Sequence, residues 1–336
     1  MNFKRWFVNR MVAQRVAAFL TALTLISMSQ PSAARNVLAA FTLYALRMDR
    51  ANIPCPSLSP RPQPVEIQIP QMYEAVQDSR TDYLVGLYDV ARGKLSTAER
   101  SMSRSVNSPS EALPIYYLWA GCLKEAIGDK AGAVEEWRAA RARDYFMRKG
   151  DSFFSRGDYA DALREYSIVI RIEPTFADGW LGVAASQQNL ATVNRAQWSD
   201  MLISAQTALA LAPQDPQAHY LVGYGLWLSG SDAREAELQL RWALNKRAYW
   251  GDAYSLGRML LDQGVAGEPT ALMQKALSLK SDNDEIRAQL VRAYLAEGQC
   301  VAARQEARRA LERNPAQQAR LRQICDAYNA CKCIFD

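Results

Sequence analysis

Histidine is almost missing: the chain of 336 residues carries one, His219. Charge relays and zinc sites lean on imidazole, so this scarcity removes most Ser-His-Asp, Cys-His-Asn and His-rich metal mechanisms. Walker A, GxGxxG and GxSxG patterns are absent as well. No catalytic residue, cofactor or metal is therefore assigned. Beyond residue 79 there is almost no strand-like alternation of apolar and polar positions, which argues against a β fold. What is present is ordinary globular usage, 49% hydrophobic and 22% charged, which excludes wholesale disorder and a polytopic membrane protein. The length exceeds what one compact core usually organises, so either two domains or an extended repeat architecture is expected.

The net charge of +5 would ordinarily raise the question of nucleic acid. Its placement answers that question. Residues 1–50 hold Lys4, Arg5, Arg10, Arg15, Arg35, Arg47 and Arg50 against Asp49 alone, a balance of +6, and the remaining residues sum to −1. The basic character belongs to the N-terminus, and no nucleic-acid partner is expected.

Lys4 to Arg15 is basic, and Val16 to Ala34 carries no charge, with an apolar heart of 13 residues reading VAAFLTALTLISM. That is short of the ~20 residues of a bilayer-spanning helix and suits the apolar region of a signal peptide. Ser32 and Ala34 stand at the spacing of a small-residue cleavage site. A retained signal anchor, with Arg15 reaching to the interface, is the rival reading. Both deliver the rest of the chain across a membrane; the alternative to both is an N-terminal helix of a soluble protein. Asn36 to Met48 is a second helical pattern, with Val37, Phe41, Tyr44 and Met48 at helical spacing and Arg47 and Arg50 closing it, which suits a membrane interface. Six prolines between Pro54 and Pro70 then favour polyproline II, a semi-rigid spacer of up to ~53 Å at ~3.1 Å per residue. The expected organisation is a signal or anchor and amphipathic helix over 1–50, a proline-rich linker over 51–70, a helical repeat region over 71–317 and a capping helix with a cysteine-rich tail over 318–336.

Glycine punctuates the repeat region. Gly93, Gly128, Gly157, Gly230, Gly264 and Gly298 follow apolar helical segments at separations of 35, 29, 73, 34 and 34 residues. About seven residues before each glycine stands a small residue: Gly86, Gly121, Gly150, Gly223 and Gly257, with Ala184 in the unit that lacks the glycine and Val291 in the last. After the turn come pairs of small residues seven apart, such as Ala133 and Ala140, Ala236 and Ala243, and Ala303 and Ala310. Such positions are where two helix backbones approach closely and a large side chain would overpack.

This pattern resembles the tetratricopeptide repeat family, a helix-turn-helix unit of 34 residues. In Arg143 to Phe176 the signature positions are occupied by Phe146, Gly150, Phe153, Gly157, Tyr159, Ala162, Tyr166 and Pro174, and 216–249, 250–283 and 284–317 match well. The unit 177–215 departs by an insertion near Ala191 to Ser199 and by Met201 at a small-residue position, Pro269 interrupts another, and the unit from Pro114 is short. The resemblance implies an all-α, right-handed superhelical solenoid of about seven repeats, with first helices lining a concave face.

On that expectation the groove is lined by Phe154, Gln188, Tyr220, Tyr224, Trp227, Tyr254, Arg258 and Arg292, aromatics and arginines of the kind protein recognition favours. Some of these aromatics can equally complete packing between repeats. The family's Lys and Asn clamp for a C-terminal carboxylate has no counterpart here. His219 falls at a packing position. Of six cysteines, four lie in the last 37 residues. Repeat geometry returns Cys331 and Cys333 to the edge that holds Cys300, which predicts a disulfide from Cys300 to one of them in an oxidising compartment; a four-cysteine zinc site is the alternative. The functional expectation is a non-enzymatic protein-interaction scaffold at a membrane or in the cell envelope, a subunit or assembly factor of a membrane complex. The alternative is an accessory module of envelope polysaccharide or protein-export machinery that binds a glycan or peptide, and a hydrolase with a carboxylate pair hidden in the groove is a weaker third.

Overall fold

The computed structural model describes residues 79–91, 94–107, 113–191 and 195–328. The expected signal or anchor, the second apolar stretch, the proline linker and Cys55, Cys331 and Cys333 lie outside them. Every regular element among the described residues is helical. No helix among them is long and apolar enough to cross a membrane. The chain divides into two compact units, residues 1–142 and 143–336.

The first unit contains α1 (Ser79–Ala91), α2 (Leu95–Asn107), α3 (Pro114–Ala126) and α4 (Lys130–Ala139). Tyr83, Met102, Val106, Tyr116 and Leu123 form its apolar core. Pro114 opens α3, where a missing N–H costs nothing, and the Asp129 carboxylate caps α4 by accepting from the Gly132 N–H at 2.9 Å. The expected close approach is present at Gly121: a Cβ there would stand 2.4 Å from Nε1 of Trp137, which is fully buried. The unit is short because α4 is short and ends on Arg141, whose φ of 52° is left-handed. The Ala142 N–H donates to Trp137 O and the Arg141 N–H to Arg138 O, both at 3.0 Å. This is the Schellman pattern, with arginine at the position glycine usually fills.

The second unit runs α5 (Arg143–Ser155), α6 (Tyr159–Ile172), α7 (Ala177–Leu190), α8 (Arg195–Leu211), α9 (Pro216–Ser229), α10 (Ala233–Lys246), α11 (Trp250–Asp262), α12 (Glu268–Leu279), α13 (Asp284–Ala296) and α14 (Cys300–Arg313), then a single 3₁₀ turn and α15 (Gln318–Asp326). From α5 to α14 each helix packs on the next in sequence, and the first helices α5, α7, α9, α11, α13 and α15 also touch in succession. A continuous apolar seam from Leu181 and Ala184 through Leu221, Leu240, Leu256 and Met273 to Leu290 joins α7 to α13. No single hairpin could bury so much apolar surface, which is why such units are stable only when stacked.

Local chemistry sets the hairpin ends. Pro216 opens α9 while the Asp215 carboxylate accepts from the N–H groups of Gln217 and Ala218 at 2.7 and 2.8 Å. Gly230 closes the helix in the left-handed conformation, φ 70°, which glycine adopts without a Cβ penalty. Pro174, Pro213 and Pro315 each stand two residues past the end of α6, α8 and α14. The departures from the repeat are absorbed locally. Met201 is fully buried in place of a small residue, and space for it comes from Gly225 on α9, where a Cβ would lie 3.1 Å from the Met201 methyl. Pro269 sits in the first turn of α12, after Gly267 at φ 80°, so it starts that helix.

Candidate functional site

Tyr220, Tyr224 and Trp227 recur at i, i+4 and i+7 on α9 and so share a face. Gly223, which lies between them in sequence, faces α10 instead: its Cβ would meet Ala236 O at 2.8 Å. Thus one helix uses a small-residue side for packing and an aromatic side for something else. Along the aromatic side the rings touch in sequence, Tyr220 to Tyr224 at 5.7 Å between centroids and Tyr224 edge-on to Trp227 at 5.7 Å. Gln188, near the end of α7, donates from Nε2 to the Tyr220 hydroxyl at 2.8 Å. From α11, Arg258 lays its guanidinium over Trp227, 5.2 Å from the ring centroid, and lies near the Tyr254 hydroxyl. That hydroxyl in turn donates to Glu285 Oε1 on α13 at 2.9 Å.

Five of the expected residues, Gln188, Tyr220, Tyr224, Trp227 and Arg258, therefore form one cluster, and Tyr254 joins it through Arg258. Arg292 lies further along, held by Asp262 at 2.7 Å and by the Tyr328 hydroxyl at 3.3 Å. Phe154 lies elsewhere, at the end of α5, edge-on to Tyr159 at 5.2 Å. Tyr220, Tyr224, Trp227 and Tyr254 also lean on the apolar seam; they are half-buried, with one flank fixed by packing. Tyr220 is held in place by the hydrogen bond from Gln188.

Burial pushes the phenols of Tyr220, Tyr224 and Tyr254 above the ordinary tyrosine value, so the face presents neutral hydroxyls. Its flank carries Arg247, whose guanidinium makes a two-pronged pair with Asp252 at 2.8 Å on both arms. Burial raises the Asp252 carboxyl and Arg247 opposes that shift. Three contributors were not among the sequence candidates. Trp198 of α8 stands edge-on to Tyr224 at 5.6 Å, Trp250 tilts against Tyr254 at 6.2 Å, and Arg247 lies over the Tyr220 ring at 5.7 Å. Trp198 sits in the insertion, where the 34-residue register gives no position to compare.

His219 is 9% exposed, stacked on Trp242 at 3.6 Å, with Nε2 3.1 Å from Pro213 O and Nδ1 against Gln239. Both ring nitrogens are committed inside the fold. Among the described residues no group of three or more His, Cys, Asp or Glu side chains is arranged to hold a metal.

No family model matches the chain, and no curated protein matches it. Solved structures do. A tetratricopeptide repeat protein from Parabacteroides merdae aligns over 76% of this chain and 98% of its own at 14% identity and a TM-score of 0.42. PilF of Pseudomonas aeruginosa covers 57% and 84% at 19% identity and 0.47, and MamA of Desulfovibrio magneticus covers 52% and 96% at 18% and 0.42. The architecture is that of tetratricopeptide repeats on the chain's own terms: successive helical hairpins, most turns closed by glycine, small residues at most crossings and first helices in mutual contact.

Proposed function

We propose that the chain is a non-enzymatic interaction scaffold that engages a protein partner through the face of α9 and α11. The observation that carries this is the contact series Gln188, Tyr220, Tyr224, Trp227 and Arg258 across three consecutive first helices. Half-buried aromatic rings held on one flank lose little entropy when covered on the other, which is why Trp, Tyr and Arg dominate binding hot spots. The scaffold works at a membrane or in the cell envelope, as a subunit or assembly factor of a membrane complex. That part of the reading is supported by the +6 balance and apolar run of the first 50 residues. It includes a C-terminal staple from Cys300 to Cys331 or Cys333. Support comes from the sequence, where four of the six cysteines fall within the last 37 residues, a clustering that suits an oxidising compartment.

The test is affinity capture by the full-length chain from membranes solubilised in mild detergent, wild type beside the Tyr224→Ala, Trp227→Ala double variant. The double variant should retain its helical circular dichroism and lose the principal partner. Unchanged recovery of every native partner would remove the aromatic face from the mechanism. The N-terminal peptide in the same mass spectra reports cleavage after Ala34 or retention of the anchor.

A further inference from the structure

Six half-buried arginines of the second unit pair with carboxylates. Arg143 reaches Glu173 at 2.9 Å, Arg241 reaches Glu268 at 2.6 Å, Arg247 pairs with Asp252 and Arg292 with Asp262, while Arg287 and Arg320 pair with Glu306 and Glu285. Arg258 is half-buried in the same unit and reaches no carboxylate among the described residues. Its neighbours are the Trp227 ring and the phenols of Tyr254 and Tyr224. Ring faces and a phenol oxygen offer only partial negative charge, and a guanidinium cannot shed its proton to relieve the imbalance. The nearest fixed anion through that network, Glu285, is already taken up by Arg320, Gln289 and Tyr254.

We infer that Arg258 is the anchor for an acidic side chain of the protein partner, an Asp or Glu followed or preceded by an apolar residue that lies on Tyr224 and Trp227. This rests on the aromatic face being the contact surface and specifies what it selects. The fork of a guanidinium matches a carboxylate in two-pronged geometry, and partial removal from water strengthens that match. The cation is half-buried over the Trp227 ring, within reach of an acid on a flexible stem. The apolar neighbour supplies the contact that the rings are shaped for.

The experiment uses the full-length chain in mild detergent and three fluorescein-labelled peptide pools, randomised among neutral and apolar residues around one fixed central position. The first has central Glu and an amidated C-terminus, the second central Gln and an amidated C-terminus, and the third central Gln and a free C-terminus. Fluorescence anisotropy should show the Glu pool binding about ten- to a hundred-fold more tightly than the amidated Gln pool. Arg258→Met, which keeps the apolar stem, should bring the Glu pool down to the Gln level, and Arg241→Met, which disrupts a paired arginine on the second-helix side, should not. If Arg258→Met fails to fold by circular dichroism, the Glu against Gln comparison on wild type decides alone. Equal binding of those two pools, a Glu preference that survives Arg258→Met, a preference for the free C-terminus alone, or no binding by any pool overturns the inference. Equal Glu and Gln binding that weakens with Trp227→Ala overturns it while leaving the aromatic-face reading intact.

Discussion

Replacing Gly223 by alanine sets two well-characterised effects against each other. In a helix interior alanine is favoured over glycine by about 1 kcal/mol, because it leaves less backbone freedom to lose. At this site, however, the new Cβ would stand 2.8 Å from Ala236 O, 2.8 Å from Leu240 Cγ and 3.0 Å from Leu240 N. Two of those three atoms belong to the backbone of α10, so no rotamer change relieves the contact and the two helices must separate. Overpacking of that kind costs roughly 1–3 kcal/mol, and with rigid backbone as the obstacle the upper part of that range applies, leaving Gly223→Ala destabilising by about 1–2 kcal/mol. Gly225 is the internal control. Its added Cβ would meet the Met201 methyl at 3.1 Å and Leu202 side-chain atoms at 3.2 and 3.3 Å, and a methionine terminus can move aside. Gly225→Ala is therefore expected within about 0.5 kcal/mol of neutral. The readouts are the urea midpoint followed by circular dichroism and the hydrogen-exchange protection of α9 and α10, which reports the local loss even if the full chain does not unfold in one step. A higher midpoint for Gly223→Ala, by the amount that propensity alone supplies, would show that the crossing is looser than described and refute the reasoning.

Arg141→Gly should stabilise the first unit by about 0.5–1 kcal/mol, since it removes the left-handed strain while keeping the Schellman bonds; an unchanged or lower thermal midpoint would contradict this. Lys149 Nζ and Glu165 Oε1 lie 3.0 Å apart with Glu165 fully buried, so Lys149→Met alone should cost about 3–5 kcal/mol and a Lys149→Met, Glu165→Leu pair much less. A double variant no more stable than the single would contradict that. Burial raises the Glu165 carboxyl, so in Lys149→Met the folded state holds that proton more tightly than the unfolded chain. Its stability should then fall as pH rises through the raised value, with urea midpoints across the carboxylate range as the check. Non-reducing peptide mapping of natively purified chain should recover Cys300 linked to the peptide bearing Cys331 and Cys333. Six free thiols would reject the C-terminal staple.

The repeat was legible because close helix crossings leave a residue-level trace. Gly121, Gly150, Gly223 and Gly257 stand where a Cβ would collide with the partner helix, and Gly128, Gly157, Gly230, Gly264 and Gly298 stand where φ is positive. Spacing alone therefore identified both the crossings and the turns. The accommodation of Met201 was not legible, because it depends on Gly225 of a different helix. Much of the candidate face was readable from helical phase, which put Tyr220, Tyr224 and Trp227 together. Phase could not show that Phe154 sits apart from them, or that Trp198 enters from a second helix. Nor could it show which arginines find a carboxylate, since those pairs, such as Arg241 with Glu268 and Arg292 with Asp262, cross from one helix to another at separations of 27 and 30 residues.

The sequential packing of α5 to α14 has a mechanical consequence. A hairpin at the end of the second unit is held by one neighbour and an inner one by two, so a pull on the C-terminus should detach α13 with α14 and α15 first and work inward. Each released unit of 34 residues would add about 110–120 Å of contour length. A scaffold tethered at one end and loaded at the other would then yield in steps, lengthening by a hairpin at a time while the face formed by α9 and α11 stays assembled until its own turn comes.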